Sequence, residues 1–386
     1  MITRLFFLMI ILLTALIVNT ASADLMIAGF DEKISFVDGA MLTHPPGNDT
    51  VVVFDISSPR NPRIIATLDL MNSLHGPPTN LIITSDEKLA LVANPVDWIQ
   101  KDGVWTNIPD NKLHIIDLEG KPRHLITIEV GSQPSGMDLT PDNKLLLIGN
   151  RSEPTVSVVR INGKTAKLID TIAVTAPVDA VSIAPDGKRA LFTMRTINTV
   201  GILHISGGMV TFSEDENIPV GIEPYNVEIS PKGDIALVNN AGVTGGNDGN
   251  IDPVCVIDMT AGHPHVIEWI AVGDGPEGLA FSPRGDLAVS VLINGSQNAE
   301  GNPNTAWAAN KNGKVAILAI DGKKVRKVQE IEVGGMPEGV VFSPDGDYIY
   351  IGNFTTDNMT ILRVGNAKVT DTGKVIKLNG SPASMR

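Results

Sequence analysis

Residues 275–289 read GPEGLAFSPRGDLAV, and variants of this stretch recur along the chain. The copy at residues 336–353 reads MPEGVVFSPDGDYIYIGN, and earlier copies begin at residues 77, 133, 176 and 223. Each copy contains a proline, a short apolar run, a turn of the Ser-Pro-Asp-Gly type and a second apolar run. This order is typical of a β-hairpin with a tight turn. A hairpin that recurs at intervals of about 40–60 residues indicates a repeat architecture.

A second kind of apolar segment lies between the hairpins, as in VVVFDI at residues 51–56 and VCVIDM at residues 254–259. Each such segment is followed, after a turn, by a fourth apolar run, so each repeat contains four antiparallel strands. Runs such as LLLI at residues 145–148 are apolar on both faces, as in a strand covered on both sides. Four-stranded repeats with two buried faces predict an all-β fold, the β-propeller.

The two ends of the chain determine the expected number of blades. Residues 380–386 repeat the first strand of the motif with nothing after it, and residues 25–29 resemble a second strand with no first strand before it. Together they complete one blade, so we expect a seven-bladed ring closed by the C-terminal strand. The expected blades span residues 24–70 with 380–386, 77–130, 134–174, 177–220, 224–272, 276–333 and 337–378.

The first 23 residues have the pattern of a secretory signal peptide. A short basic start at Arg4 precedes an apolar run, and the small residues 21–23 form a cleavage motif. We therefore expect cleavage after Ala23, one propeller domain over residues 24–386 and a periplasmic or secreted protein with no membrane insertion after cleavage; an uncleaved anchor is the alternative.

The net charge of −13 argues against nucleic acid as a partner. Cys255, the single cysteine, lies in an apolar run and is interpreted as a buried strand residue, with a reactive thiol as the alternative.

Four tetrapeptides carry a family resemblance: LVAN at residues 91–94, LIGN at 147–150, LVNN at 237–240 and YIGN at 350–353. They resemble the Tyr-Val-Thr-Asn repeat of the YVTN family of seven-bladed propellers. The resemblance covers nearly all of the chain after residue 23 and implies the same fold. Propellers similar to these include secreted binding proteins, surface-layer proteins, lactonase-like hydrolases and amine dehydrogenase heavy chains, so the resemblance does not select one function.

The strand order predicts which loops share a face of the disc. The loop before strand 1 and the loop between strands 2 and 3 lie on one face, here called the upper face, and the Ser-Pro-Asp-Gly turns lie on the lower face. Long loops on a rigid repeat scaffold usually bind ligands. The long loops between strands 2 and 3 are Asp38–Asp49, Asn94–Asn111, Asn240–Asp252 and Asn294–Gly313. Trp98, Trp105 and Trp307 lie in two of them and are interpreted either as ligand contacts or as caps on the blade ends.

Polar residues should surround the upper mouth of the central channel, because strand 1 is innermost. The expected rim consists of Asn80, Ser135, Asp179, Asn226, Glu277 and Glu338 before strand 1, and Asn94, Arg151, Arg195, Asn240, Asn294 and Asn353 after strand 2. The alternative is that channel mouths are wet and polar in any case.

Two arginines of this rim end equivalent strands in adjacent blades. We expect Arg151 and Arg195 to hold a carboxylate or phosphate, with Glu223 beside them as a general acid or base. In the alternative interpretation, Glu223 only pairs with the arginines.

A metal site has little support in the sequence. Asp248–Asp252 begins like a calcium-binding loop, but Pro253 and Met259 replace the glycine and glutamate that such a loop requires. We expect no cofactor, with calcium at this loop as the alternative. No nucleophile elbow, phosphate-binding loop, dinucleotide fingerprint or haem-attachment motif is present.

Two functional hypotheses remain at this point. The first is an exported binding or scaffold propeller that uses the long-loop face for a small polar ligand or a protein partner. The alternative is a lactonase-like hydrolase that acts on a cyclic ester or organic acid at the channel mouth. A hydrolase requires a coupled acid–base group at the mouth, whereas a binding protein requires only an apolar or charged surface.

Overall fold

The structure is a computed structural model that describes residues 24–243, 248–298, 306–365 and 368–386. Its described residues form seven antiparallel sheets, each built around four strands, with one small extra hairpin. The predicted fold class, an all-β seven-bladed propeller, is confirmed. The predicted signal peptide at residues 1–23 lies outside the described residues.

The strands are numbered along the chain. The first thirteen are β1 (Leu25–Phe30), β2 (Ile34–Val37), β3 (Ala40–Thr43), β4 (Thr50–Asp55), β5 (Arg63–Leu68), β6 (Leu81–Ile83), β7 (Leu89–Lys101), β8 (Val104–Asp117), β9 (Arg123–Glu129), β10 (Pro134–Leu139), β11 (Leu145–Asn150), β12 (Thr155–Asn162) and β13 (Thr165–Ala173). The next nine are β14 (Val181–Ile183), β15 (Arg189–Met194), β16 (Thr199–Ser206), β17 (Met209–Phe212), β18 (Ile218–Pro219), β19 (Pro224–Ile229), β20 (Ile235–Asn240), β21 (Asp252–Asp258) and β22 (His265–Gly273). The last nine are β23 (Pro276–Phe281), β24 (Leu287–Leu292), β25 (Lys314–Asp321), β26 (Lys324–Glu332), β27 (Pro337–Phe342), β28 (Tyr348–Asn353), β29 (Asn358–Val364), β30 (Val369–Lys377) and β31 (Pro382–Met385).

Each blade is an antiparallel meander whose first strand lies next to the channel. Blade 1 has the order β31-β1-β4-β5, and blades 2 to 7 follow in chain order as β6–β9, β10–β13, β14–β17 with β18, β19–β22, β23–β26 and β27–β30. Short 3-10 turns cover Arg195–Ile197, Glu214–Glu216 and Ala306–Ala308. The turn at Glu214–Glu216 separates β17 from β18, so the outer edge of blade 4 is split into two short strands.

The ring is closed by the C-terminal strand, as predicted. Strand β31 pairs with β1 in the register Ala28↔Met385 and Gly29↔Ser384. The amide of Arg386 continues this ladder by donating to the carbonyl of Ile27 at 2.9 Å. One blade therefore contains strands from both ends of the described chain.

The apolar core lies between neighbouring blades. Leu147 of blade 3 and Phe192 of blade 4 belong to one buried cluster. Cys255 on β21 lies in the next cluster, between blades 4 and 5, and is fully buried, and its burial raises the pKa of the thiol. The interpretation of Cys255 as a buried strand residue is confirmed. Among the described residues, no helix is long and apolar enough to cross a membrane.

Two of the segments expected to be loops are β-hairpins instead. Strands β7 and β8 run through the segment 94–111 and meet at Asp102 and Gly103, which have φ angles of 52° and 81°. Strands β2 and β3 turn in the same way at Asp38 and Gly39, with φ angles of 48° and 73°. An Asp-Gly pair with two positive φ angles makes the tight turn whose twist matches two antiparallel strands. The expectation of a long loop was wrong for residues 94–111 and for residues 38–43, because this turn signal pairs the residues on either side of it.

Candidate functional site

The inner strands bring one side chain per blade to the upper end of the channel. The pairing registers align the residue that follows the repeat proline, such as Ser135 on β10 and Glu338 on β27. In blade 4 the proline lies one residue earlier, and Asp179 takes the equivalent place. The aligned residues, here called the upper ring, are Thr79, Ser135, Asp179, Tyr225, Glu277, Glu338 and Ala383.

Two arginines converge on one carboxylate of this ring. Arg151, directly after β11, donates from Nε to Oδ1 of Asp179 at 2.7 Å. The Nε of Arg195, which follows β15, lies 3.8 Å from the same oxygen. Asp179 is buried, so two positive charges share one negative charge in a largely desolvated place.

Glu223 completes this network on the solvent side. Its Oε2 accepts a hydrogen bond from Nη1 of Arg195 at 3.1 Å, and its amide donates to Oδ1 of Asn198 at 2.9 Å. The structure thus brings together all three residues of the predicted trio, Arg151, Arg195 and Glu223. It adds Asp179 as the group that lies between the two arginines.

Two carboxyl groups on neighbouring blades share the channel mouth. Burial raises the pKa of Glu277 to about 7, and a hydrogen bond from Glu338 together with the charges of Arg151 and Arg195 limits the rise. Burial and the negative charge of Glu277 raise the pKa of Glu338 well above its usual range. Glu338 is 1% exposed, and its Oε2 has no hydrogen-bond partner among the described residues. Near neutral pH, this pair can hold one proton on Glu338 and exchange another on Glu277.

Two residues of this site were not identified from the sequence. Tyr225 lies under the guanidinium of Arg151, whose Cζ is 5.9 Å from the ring centroid, and burial raises the pKa of its hydroxyl. His75 is the second residue, and the charge of Arg151 acts on it. Burial lowers the pKa of the His75 imidazole, and its Nε2 accepts a hydrogen bond from Nδ2 of Asn107 at 2.9 Å. The sequence held a signal for Tyr225, which follows a repeat proline as Glu277 and Glu338 do.

The predicted rim amides lie inside the blades and fix the backbone. Nδ2 of Asn94 donates to Asp110, and Nδ2 of Asn353 donates to Thr360. Asn240 donates to the carbonyl of Pro253, and Asn294 donates to the carbonyl of Asn312. Such bonds join strands 2 and 3 or their connection within a blade and stabilise the rim. Asn94, Asn240 and Asn353 are fully buried and closed to a ligand, whereas Asn294 is partly exposed.

The amides at the start of strand 1 are also buried. Asn80 donates from Nδ2 to the carbonyl of Ala93 at 3.1 Å. Asn226 is 1% exposed, and its Oδ1 accepts from the amide of Val227, while its Nδ2 has no partner among the described residues. Both lie one residue beyond the upper ring along their strands.

The tryptophans occupy two different environments. Trp98 is buried in an apolar cluster built from blades 1, 2, 6 and 7, and its ring lies 6.3 Å from that of His75. Trp105 packs against the same cluster, and its carbonyl accepts a hydrogen bond from Thr43. Trp307 is 68% exposed and lies beside Gly249 of blade 5. The hairpins of blades 1 and 2 therefore pack beside the channel mouth at the upper-ring residue Ala383. Arg195 and Glu223, which belong to blades 4 and 5, remain partly exposed.

The calcium-like loop has a different use in the described residues. Oδ2 of Asp252 accepts from the amide of Gly275, and Oδ2 of Asp274 accepts from the amide of Gly249. Within residues 24–243, 248–298, 306–365 and 368–386, no group of three His, Cys, Asp or Glu side chains is arranged to hold a metal ion.

Comparisons with known proteins identify the fold. No protein-family model matches the sequence, and no curated protein matches it. A putative 6-phosphogluconolactonase of Bacteroides fragilis superposes with a TM-score of 0.70 over 95% of this chain and 98% of that chain, at 18% identity. The periplasmic gluconolactonase of Pseudomonas aeruginosa gives 0.67 over 94% and 98%, at 15% identity. A functionally unknown protein of Desulfotomaculum acetoxidans gives 0.66 over 94% and 98%, at 14% identity. At these identities the likeness concerns the propeller fold alone.

Proposed function

We propose that the protein is a hydrolase that opens a small lactone carrying an anionic group, at the upper mouth of the channel. The observation that carries this proposal is the acid pair Glu277–Glu338: Glu338 is buried and donates a hydrogen bond to Glu277, and the charges of Arg151 and Arg195 act on Glu277, whose pKa is about 7. A hydrolase requires such a group, and a binding protein does not. The names of two structural neighbours, a putative 6-phosphogluconolactonase and a periplasmic gluconolactonase, agree with a lactone as the substrate class.

The geometry supports a direct division of roles. Arg195 is 34% exposed, and its guanidinium can meet the anionic group or the developing oxyanion of a bound lactone. The carboxylate of Glu277 takes a proton from water as the water oxygen attacks the ring carbonyl. The ring C–O bond then breaks, and the leaving oxygen takes the proton back from Glu277. The sum is lactone plus water to hydroxy acid, with Glu277 restored.

Glu338 acts on Glu277 rather than on the substrate. Its proton is held in a buried place, so it donates a hydrogen bond to Glu277 and keeps the pKa of Glu277 from rising further. Because Glu277 must be ionised to act, kcat/KM should increase as pH rises through about 7.

Hydrolysis of glucono-1,5-lactone and its 6-phosphate tests this function, with the spontaneous rate subtracted. We expect Glu277→Gln to lower kcat/KM by about 100-fold or more, and Arg195→Ala by about 100-fold. The matched control is Arg284→Ala, because Arg284 pairs with Asp347 at the lower-face turns, away from the mouth. No acceleration of either lactone by wild type, or full activity of Glu277→Gln, would overturn the proposal.

A binding role for the upper face is the second candidate, and one observation favours it. The hairpins β2–β3 and β7–β8 expose several apolar side chains, among them Val37, Met41, Leu42 and Val104. Large apolar residues grouped on a surface often mark a protein interface. A variant with Met41→Asp and Val104→Asp should lose any partner that wild type retains from an extract of the source organism, without loss of lactone hydrolysis. Equal capture by both proteins would exclude this surface as the interface.

Export is part of the proposed function. The signal-like pattern of residues 1–23 supports a protein that acts in the periplasm or outside the cell. The intact mass of the protein expressed in its source should correspond to a chain that begins at Asp24. A mass that includes Met1–Ala23 would contradict export by cleavage.

A further inference from the structure

The channel holds a second group of charges below the upper ring. The three residues involved, Asp138, Glu228 and Arg386, each lie four positions after a repeat proline, at Pro134, Pro224 and Pro382. The pairing registers of β10, β19 and β31 place them at one level. At the same level the other four blades carry Ile82, Ser182, Ala280 and Val341. This charged level is therefore confined to blades 1, 3 and 5.

A cavity of about 330 Å³ lies beside these charges. It reaches the lower-face turns at Pro231, Pro283 and Pro344, so it opens on the side opposite to the upper ring. Its walls include the aromatic rings of Phe281 and Phe342. A volume of this size lies at the lower end of the range for small-molecule sites, about 300–1,000 Å³.

The charges at and beside the cavity wall are only partly paired. Nη1 of Arg386 donates to Oε1 of Glu228 at 2.7 Å, whereas its Nη2 lies 3.7 Å from Oδ1 of Asp138, beyond hydrogen-bond distance. Asp138 is held by the amides of Leu139 and Ile183. The side chain of Arg386 is 26% exposed and lines the cavity, so N–H donors of its guanidinium remain available there.

Two further polar groups on the cavity wall have no partner among the described residues. Nδ2 of Asn226 and Oγ1 of Thr79 are both unpaired, although these residues are 1% and 6% exposed. Buried donors are normally satisfied by protein, water or ligand. The amide of Asn226, the hydroxyl of Thr79 and the guanidinium of Arg386 therefore offer hydrogen-bond donors to a group that accepts several hydrogen bonds at once.

We propose that this cavity is a second ligand site, for a small monocarboxylate with an apolar body. The carboxylate meets Arg386 and Asn226, and the apolar body lies against Phe281 and Phe342. This site is separate from the lactone site and does not depend on the proposed hydrolysis. A carboxylate fits better than a neutral apolar molecule, because only an acceptor satisfies the donors of Arg386, Asn226 and Thr79 together.

Glu228 on the cavity wall, with Asp138 next to Arg386, makes binding dependent on pH. Burial raises the pKa of Glu228 to about 7, Arg386 opposes the rise, and Asp138 adds to it. Of the described residues, Arg386 and Asp138 are the charged groups that face Glu228. Protonation of Glu228 removes a negative charge and loosens its hold on Arg386. A carboxylate ligand should therefore bind more tightly at pH 6 than at pH 8.

Calorimetric titration with sodium benzoate tests the site, with sodium chloride as the control for ionic strength. We expect benzoate to bind wild type at pH 6 and to bind at least about fivefold more weakly at pH 8. Glu228→Gln should bind at pH 8 as wild type does at pH 6. Ala280→Leu narrows the channel at the same level and should lose binding. Because Ala280 lines the cavity, the added side chain has room, and the melting temperature without ligand should stay near that of wild type.

Arg195→Ala separates this site from the upper mouth and should leave benzoate binding unchanged. Loss of benzoate binding in Arg195→Ala, with binding retained in Ala280→Leu, would assign the ligand to the upper mouth and overturn the proposal. Absence of benzoate binding to wild type at both pH values would also overturn it.

Discussion

Two ionic clusters on the upper side of the molecule differ in how completely their donors are used. Lys33, at the base of hairpin β2–β3, is fully buried, and its Nζ contacts Asp31 at 3.0 Å, Asp49, and the carbonyl of Asn72 at 2.6 Å. The ammonium donates hydrogen bonds to Asp49 and to the carbonyl of Asn72, and it forms an ion pair with Asp31, so oxygen atoms surround it in a fully buried place. Arg151 and Arg195 share Asp179 and Glu223, and within the described residues no hydrogen bond joins the Nη atoms of Arg151 to another group.

This difference distinguishes a structural cluster from a candidate site. The Lys33 cluster is closed to solvent by burial, and its role is to attach the hairpin to blade 1. The arginine cluster is partly exposed and has donors left over, so an anion can still gain hydrogen bonds there. The number of unused donors is therefore a better indicator of binding than the number of charges.

The largest expected effect follows removal of the buried ammonium. Lys33→Met leaves Asp31 and Asp49 buried without a counter-charge, which should lower the free energy of unfolding by about 3–5 kcal/mol. Urea denaturation measures this change. The matched control is Lys88→Met, whose partner Asp86 is exposed, and it should cost less than about 1 kcal/mol. A similar small loss in both variants would mean that the Lys33 cluster does not hold the hairpin.

A smaller effect is expected where the arginine cluster is most buried. The side chain of Arg151 is 13% exposed, so Arg151→Ala should lower the free energy of unfolding by about 1–3 kcal/mol through the loss of the buried partner of Asp179. Arg195 is more exposed, and Arg195→Ala should change stability by less than about 1 kcal/mol. Thermal and urea unfolding of both variants measure the order. Equal and large losses would mean that both arginines serve the fold.

The smallest effects concern pH and separate the two clusters. The pKa values of Asp49 and Glu277 are raised by burial, from 3.8 to about 6 and from 4.5 to about 7. An acid whose folded-state pKa is raised stabilises the fold below its ordinary pKa and loses that contribution as pH rises through the folded value. Stability should therefore fall through about pH 6 because of Asp49 and through about pH 7 because of Glu277.

Two variants assign these pH steps. Asp49→Asn should remove the step near pH 6, and Glu277→Gln should remove the step near pH 7, as measured by melting temperature between pH 5 and 8.5. If Glu277→Gln left the profile unchanged, Glu277 would titrate at its ordinary value, and its role as a base near pH 7 would be lost.

The sequence predicted the propeller because its repeat is a local signal. The prolines, apolar runs and tight turns each act over a few residues, and ring closure followed from the unpaired strands at residues 25–29 and 380–386. The two hairpins were not predicted, although the sequence has Asp-Gly pairs at residues 38–39 and 102–103. Both segments are as long as binding loops, and the turn signal inside each consists of only two residues.

The site could be predicted only in part. Strand order was enough to bring Arg151, Arg195 and Glu223 to one place. It was not enough to show that Asp179 lies between the arginines or that Glu277 and Glu338 interact across two blades. Those contacts depend on a bulge near the start of most inner strands, which decides whether the side chain at each position faces the channel or the neighbouring blade. Lys33 was missed for another reason, since burial of a lysine depends on how the hairpin packs on the blade.

Ring closure also determines which step of folding comes last. Strand β31 follows the other described strands in the chain, yet it is the innermost strand of blade 1, next to β1. Until β31 is in place, β1 has an open edge, and the blade 1 face of the apolar cluster around Tyr350 lacks Met385. Pairing between such distant segments is slow, because the loop that must close contains nearly the whole chain. We therefore expect the last kinetic phase of refolding to be the docking of β31, with the other six blades already formed.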